Sequence, residues 1–239
     1  MSISVVIPCY NERPERLGRT IVSVLGTAPG ADVVVVDDGS TTPVEPMPWI
    51  RLLTLPENRG PAGALNAGYA AAKHDLIARV DVGDVWFADP KRRQIEFASG
   101  VPACFSVSHD ELGERATAVG ADWSARIYME NQFQASTTIV HRRVWERCPF
   151  DESLRWADDW DWHMRVQFHV GWSFFDAVTG TATCWPDGHN KRRVDPEREA
   201  QKVACAAKAA RRGIEYRLRV RNGKWRGNAQ WAARNGGGL

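Results

Sequence analysis

The residues of this 239-residue chain that can do chemistry are carboxylates set where apolar runs stop. Asp81 and Asp84 follow the run Leu76-Ile77-Ala78 in Arg79-Val80-Asp81-Val82-Gly83-Asp84. Two acids at the end of a buried strand are costly unless a cation accompanies them. They suit a divalent-metal and phosphate corner, or a turn whose acids cap the backbone around Gly83. Asp37-Asp38-Gly39-Ser40 closes another apolar run and can offer a hydrogen-bond acceptor to a ligand or form an ordinary turn. Asp158, Asp159 and Asp161 crowd the start of a helical pattern. Adjacent carboxylates raise one another's pKa, whereas a helix N-terminus favours the charged form. That pairing suits a general base, and simple helix capping is the other reading. His189 stands just before the cations Lys191, Arg192 and Arg193.

Positioning these groups requires strand ends on one edge of a sheet. Ile3 to Ile7 and Val33 to Val36 are continuous apolar runs of the kind buried on both faces of a parallel sheet. Between them Leu17, Ile21, Val24 and Leu25 share a helical face, with Asn11 as its cap and Pro14 in its first turn. Strand, helix and strand in that order imply a right-handed crossover. Arg51 to Leu55 and Leu76 to Val80 are further strands, separated by a Gly- and Ala-rich helix over Ala62 to Lys73. Asp89-Pro90 opens a helix reaching Ser99, and Ala103 to Val107 is a fifth strand.

Periodicity is weaker beyond that point. Ser108 to Phe133 reads as loop-rich, Thr137 to Val140 as a strand, and Arg142 to Cys148 as a short helix. Asp158 to Val170 has helical spacing, with Trp162, Val166 and Val170 on one side. Trp172 to Phe175 and Thr181 to Trp185 read as two short strands. Asp195-Pro196 caps a helix to Arg212 carrying Val203, Ala206, Ala207 and Ala210. The alternation from Tyr216 to Arg221 before Asn222-Gly223 fits a hairpin, with a continued helix as its rival.

Composition narrows the field. A 44% hydrophobic and 25% charged chain can bury a sizeable core, and a net charge of +2 gives no general case for nucleic acid. Five scattered Cys without a CxxC pair argue against a zinc cluster or disulfide framework and fit a reducing compartment. The N-terminal run reads as a strand rather than a signal peptide, and no run approaches a membrane span. We therefore expect a cytoplasmic protein. The basic stretch from Lys191 to Arg226 suits either a solvated face or docking to an anionic or membrane-associated partner. The 11 Trp, mostly after residue 120, suit core packing or a carbohydrate-contacting face.

Five segments, taken together and in order, resemble the family 2 inverting glycosyltransferases of the GT-A fold. They are Val6-Ile7-Pro8-Cys9-Tyr10-Asn11-Glu12, Val35-Val36-Asp37-Asp38-Gly39-Ser40, Asn58 to Gly68, Ala78 to Asp84, and Trp156-Ala157-Asp158-Asp159-Trp160-Asp161. The resemblance covers roughly residues 3 to 190 and implies an α/β fold, a Rossmann-like, mostly parallel central sheet flanked by helices. It divides the chain into a domain over 1–190, with a donor half (1–100) and an acceptor half (101–190), and a basic helix and tail over 191–239. It implies inverting, hexosyltransferase-type transfer from a nucleotide-diphosphate sugar, a UDP-sugar above all, to a hydroxyl. The acceptor would be a glycan, a lipid-linked oligosaccharide, a protein or a modified nucleobase, with peripheral membrane contact through the basic tail.

The resemblance also assigns roles. Pro8, Tyr10, Glu12 and Asp38 fall at the nucleoside, Asp81 at the ribose or donor sugar, and Arg59 and Arg79 at phosphate or donor. Asp84 and His189 would hold Mn2+ or Mg2+, oxygen donors suiting both ions. Asp159 matches the base, Asp158 stands beside it where Glu is usual, and Asp161 and Trp160 fall toward the acceptor. Gly83 occupies the place of a usual Asp, so the metal site lacks one carboxylate. Two other classes compete: a nucleotide-sugar or carbohydrate-binding module without catalysis, and a sugar-1-phosphate nucleotidyltransferase. The latter needs a Gly-rich basic loop after the first strand, which Pro8 to Glu12 does not supply.

Overall fold

A computed structural model describes residues 2–109, 123–129, 131, 134–181 and 196–221. One eight-stranded sheet organises it. β1 (Ile3–Cys9), β2 (Asp32–Asp37), β3 (Arg51–Thr54) and β4 (Leu76–Arg79) lie parallel in the order β3-β2-β1-β4. β7 (Ile139–His141) pairs antiparallel with β4, and the sheet continues through β6 (Ala103–His109), β8 (Ser173–Thr181) and β5 (Val85–Trp86).

Both faces are covered, which is why the strands read as unbroken apolar runs. Successive side chains alternate between faces. Val5, Ile7, Val33 and Val35 meet Leu17, Ile21 and Val24 of α1 (Pro14–Thr27) and Ile95 of α3 (Ala88–Ser99). Val6, Val34 and Val36 pack on the other side with Leu65 and Tyr69 of α2 (Gly60–Ala71) and Trp162 of α6 (Asp158–His169). α2 sits close to the sheet because Gly68 carries no side chain: a Cβ there would stand 2.3 Å from Val6 Cγ1.

Several expectations are corrected. Asn11 does not cap α1. Its backbone is left-handed (φ 51), and its Oδ1 accepts from Thr41, tying the loop after β1 to the loop after β2. Asp89 lies within the first turn of α3, whose cap position is Phe87. The strand expected from Thr137 is a 3-10 turn, Ala135–Thr137, followed by β7. The two strands expected after Trp172 are one continuous β8, with residues 182–185 outside the described residues. β5 was not foreseen; two residues are too few to show a period. No hairpin forms from Tyr216. The final helix, α7 (Pro196–Arg221), runs through it, while Asn222-Gly223 lies outside the described residues.

α7 turns Val203 to solvent and packs through Cys205 and Gly213, the latter against Tyr128. Among the described residues most Trp side chains serve the core: Trp86, Trp162 and Trp172 are buried, and Trp123, Trp145 and Trp160 pack against the cluster that holds Trp162 and Trp172, whereas Trp49 is exposed. No helix among the described residues is long and apolar enough to cross a membrane.

Gly68→Ala should lower the thermal midpoint, with a cost of about 1–3 kcal/mol from overpacking against Val6. An unchanged melting curve would show that α2 can withdraw from the sheet freely.

Candidate active site

The parallel strands end together. Register pairs Cys9 with Asp37 and Val6 with Arg79, so the loops after β1, β2 and β4 share the carboxyl edge of the sheet. Ligands bind at this edge in open α/β folds. Tyr10 is 47% exposed there and Glu12 stands partly buried, with its Oε2 3.6 Å from Arg16 Nη1. Pro8 is half-buried at the end of β1.

Asp37 shapes its own loop, accepting from the backbone of Ser40 and Val44. Burial opposes its charge, but those hydrogen bonds hold its pKa below the usual value. Asp38 is buried and also serves backbone: Oδ1 accepts from Arg59 N (2.8 Å), and Oδ2 from Gly60 N (2.9 Å) and Asn58 Nδ2 (3.0 Å). Burial raises its pKa despite these donors. The carboxylate expected at a base edge is thus used to start α2. Arg59, expected near phosphate, instead pairs with Glu152 at 2.6 Å.

The centre of the site is Arg79. Its side chain is buried, donating to both oxygens of Asp81 (2.8 and 3.2 Å), with Nη1 3.7 Å from Asp158 Oδ2. Burial disfavours the guanidinium charge, but Asp81 and Asp158 outweigh it and keep Arg79 firmly protonated. Asp158 is 6% exposed, and burial pushes its pKa up to about 7, against the pull of Arg79 and with repulsion from Asp159 and Asp81. Arg79 therefore joins the donor-side and acceptor-side acid motifs through one buried cation.

Asp159 is less enclosed. Its Oδ1 accepts from Trp160 N (2.7 Å) and its Oδ2 from Asn131 Nδ2 (2.9 Å). Asn131 Oδ1 in turn faces His163 Nδ1 at 3.1 Å. With the amide nitrogen given to a carboxylate, His163 must carry its proton on Nδ1. Burial and Arg79 pull the His163 pKa well below its ordinary value, so the imidazole is neutral. Nothing local in the sequence reveals Asn131.

The two residues expected toward the acceptor have partners within the protein. Asp161 is 1% exposed and bound to Arg165 Nε (2.6 Å) and Arg212 Nη1 (2.9 Å), joining α6 to α7. Trp160 packs against the core, and its Nε1 donates to Ile127 O.

The metal expectation does not fit the described donors. Both Asp81 oxygens serve Arg79. Asp84 is buried, its Oδ2 accepting from Ser136 Oγ and its backbone O from Thr20 Oγ1. Gly83 has φ +103, and a Cβ there would lie 2.4 Å from Arg16 Nη2. A guanidinium thus occupies the space into which a carboxylate at 83 would project. Among the described residues no group of three or more His, Cys, Asp and Glu could hold an ion. His189, Lys191, Arg192 and Arg193 lie outside the described residues.

The sheet and its acid-lined carboxyl edge define a protein of the GT-A glycosyltransferase fold. The profile described as "Glycosyl transferase family 2" matches residues 4–151, and the chain belongs to that family. It is 39% identical over 114 residues to the succinoglycan biosynthesis protein ExoO of Rhizobium meliloti, covering 45% of this chain and 32% of that protein. It is 38% identical over 104 residues to a pre-mycofactocin glycosyltransferase of Mycobacterium tuberculosis, covering 41% and 20% of the two chains. The match to ExoO thus takes in about a third of that relative's length. Among solved structures, S. aureus TarS 1-349 in complex with UDP-GlcNAc superposes with a TM-score of 0.68 at 19% identity, covering 87% of this chain and 66% of that one.

Two outcomes test this geometry. Gly83→Asp should lower the thermal midpoint and create no new Mn2+ site in a titration; Mn2+ binding gained by the variant would contradict the placement of Arg16. For Asp158, the raised folded pKa means its contribution to stability is lost as pH rises from about 4 through about 7. Asp158→Asn removes that loss, so its thermal midpoint relative to wild type should improve between pH 5 and pH 8. A parallel pair of pH profiles would refute the raised pKa.

Proposed function

We propose that this protein transfers a sugar from a nucleotide-diphosphate sugar, of the UDP class, to an acceptor hydroxyl with inversion at the anomeric carbon, and that Asp159 is the base. The observation that carries the reading is the Asp81–Arg79–Asp158 triad with Asp159 beside it. One buried guanidinium fixes a donor-side acid and an acceptor-side acid in a single unit. The exposed Tyr10 ring at the edge offers a flat surface for a nucleobase. The complex of the TarS fold relative with UDP-GlcNAc supports a nucleotide-sugar donor.

In this reading the acceptor oxygen attacks the anomeric carbon as the bond from that carbon to the phosphate oxygen breaks. The hydroxyl proton passes to Asp159, and the bonding electrons leave with the nucleoside diphosphate. Asp159 suits the task better than Asp158. It is less buried, and Asn131 aims it. Asp158 is enclosed and paired with Arg79, so it positions rather than exchanges protons with an acceptor. No step is assigned to a metal.

A second reading is a nucleotide-sugar-binding module without turnover, favoured by Arg16 covering Gly83. Calorimetric titration with UDP, joined to a screen of UDP-sugars for released UDP, separates the two. Asp159→Asn should abolish transfer while leaving UDP affinity unchanged. Asn131→Ala should reduce kcat by about tenfold while leaving UDP affinity unchanged, because Asp159 loses the amide that aims it. Wild-type turnover in Asp159→Asn would remove the base assignment.

A further inference from the structure

Lys91 is the buried charge that the mechanism above does not use. It is 0% exposed in α3, and its described partners are not anions. Its Nζ donates to Ser136 O at 3.3 Å and lies 4.6 Å from the Trp86 ring centroid. Cys104 stands near it, and that thiol is itself kept protonated by burial. Enclosing an ammonium with a carbonyl and an indole costs several kcal/mol relative to an apolar side chain of similar length. A lysine at such a site calls for a use of its charge.

Ser136 shows where that charge acts. Its Oγ donates to Asp84 Oδ2 and accepts from Asp81 N (2.9 Å), so one residue clamps both ends of the Asp81–Asp84 corner. Gln94, one turn beyond Lys91 and equally enclosed, donates to Thr137 O at 2.7 Å. α3 therefore holds the Ala135–Thr137 turn by two buried side chains, and the turn holds the corner. Gln94 supplies the same kind of contact without a charge, which shows that clamping a carbonyl does not need one.

We propose that Lys91 is a positioning residue for the donor diphosphate, its buried ammonium acting through Ser136 to fix the Asp81–Asp84 corner and to supply positive charge beneath the leaving phosphates. The inference rests on the nucleotide-sugar reading above. It also answers the missing carboxylate at Gly83: the corner draws on fixed protein cations, Lys91 below and Arg16 at its side, where the described acids do not form an ion site. Fixed charge placed before the reaction stabilises a developing anion without reorganisation.

The ammonium is also titratable. Burial lowers the Lys91 pKa to about 7, so its charge fades as pH rises through neutrality. The groups facing it are Cys104 from β6, Trp86 from β5 and, through Ser136, Asp84 and Asp81, with Arg79 and Asp158 behind them. Asp158 titrates in the same range, so the comparison is made between wild type and Lys91→Met, which share it.

UDP titrated calorimetrically into both proteins at pH 6 and pH 8.5 is the test, with a melting curve at each pH. Lys91→Met should bind UDP about tenfold more weakly at pH 6, the gap closing by pH 8.5. Its thermal midpoint should match or exceed that of wild type, by more at pH 6, where a lysine of lowered pKa costs the fold most. Equal affinity at pH 6 overturns the inference. So does weaker binding that comes with a lower midpoint and no dependence on pH, the signature of a packing role alone. Should the variant not fold, lysine side-chain NMR of the wild type decides: UDP must raise the titration midpoint of the buried lysine, and an unmoved midpoint overturns the proposal. Wild-type protein that fails to bind UDP at either pH removes the donor reading together with this inference, whereas wild-type binding that Lys91→Met preserves removes the inference alone.

Discussion

A guanidinium sealed inside a protein must be matched by negative charge, and Arg79 meets that requirement with two acids distant from each other in sequence. Asp81 follows it on the same loop, and Asp158 begins a helix on the far side of the chain. Removing Asp81 would take away both hydrogen bonds to that buried charge, a change that costs about 3–5 kcal/mol. The ion triad therefore constrains where α6 can dock on the sheet. That docking in turn fixes Asp159, which sits one residue further along. The geometry of the site follows from charge balance at Arg79 more than from any single loop.

The same logic extends outward. Asp161 on α6 is buried between Arg165 and Arg212, so the helix that carries Asp159 is fastened on its other side to α7. Asp38 spends its oxygens on the first amides of α2, whose close seating on β1 depends on Gly68. Asp38 and Asp161, which look functional in the sequence, thus spend oxygens on backbone amides and guanidinium groups. A helix start uses carboxylates in both ways, because its dipole and unpaired amides favour anions whether or not a substrate is near.

Three cations among the described residues surround this corner. Arg16 fills the space beside Gly83, Arg79 binds both oxygens of Asp81, and Lys91 lies beneath Ser136. Each of these cations has a described partner: Arg79 pairs with Asp81, Arg16 lies near Glu12 and donates to Val82 O, and Lys91 donates to Ser136 O.

The sequence alone determined the sheet-and-helix alternation, because strands buried on both faces need continuous apolar runs and parallel strands need crossovers. It also determined which acids lie near strand ends, since Asp37 and Asp38 close one apolar run and Asp81 and Asp84 come within a few residues of another. It could not separate the acids that serve backbone from those that face a ligand, as Asp38 and Asp161 show, because that depends on which amides and guanidinium groups arrive from elsewhere. Nor could it reveal Asn131, which lies 28 residues from Asp159 in an aperiodic segment, or the two-residue β5. Lys91 carries no distinguishing signal in the sequence, where it stands beside Arg92 and Arg93. Only tertiary packing decided that it is enclosed, since burial is set by what covers a side chain and not by its neighbours in the chain. The pairing of Arg79 with Asp158 was likewise a tertiary decision: their attraction acts across space, and only the folded sheet brings the two motifs within reach.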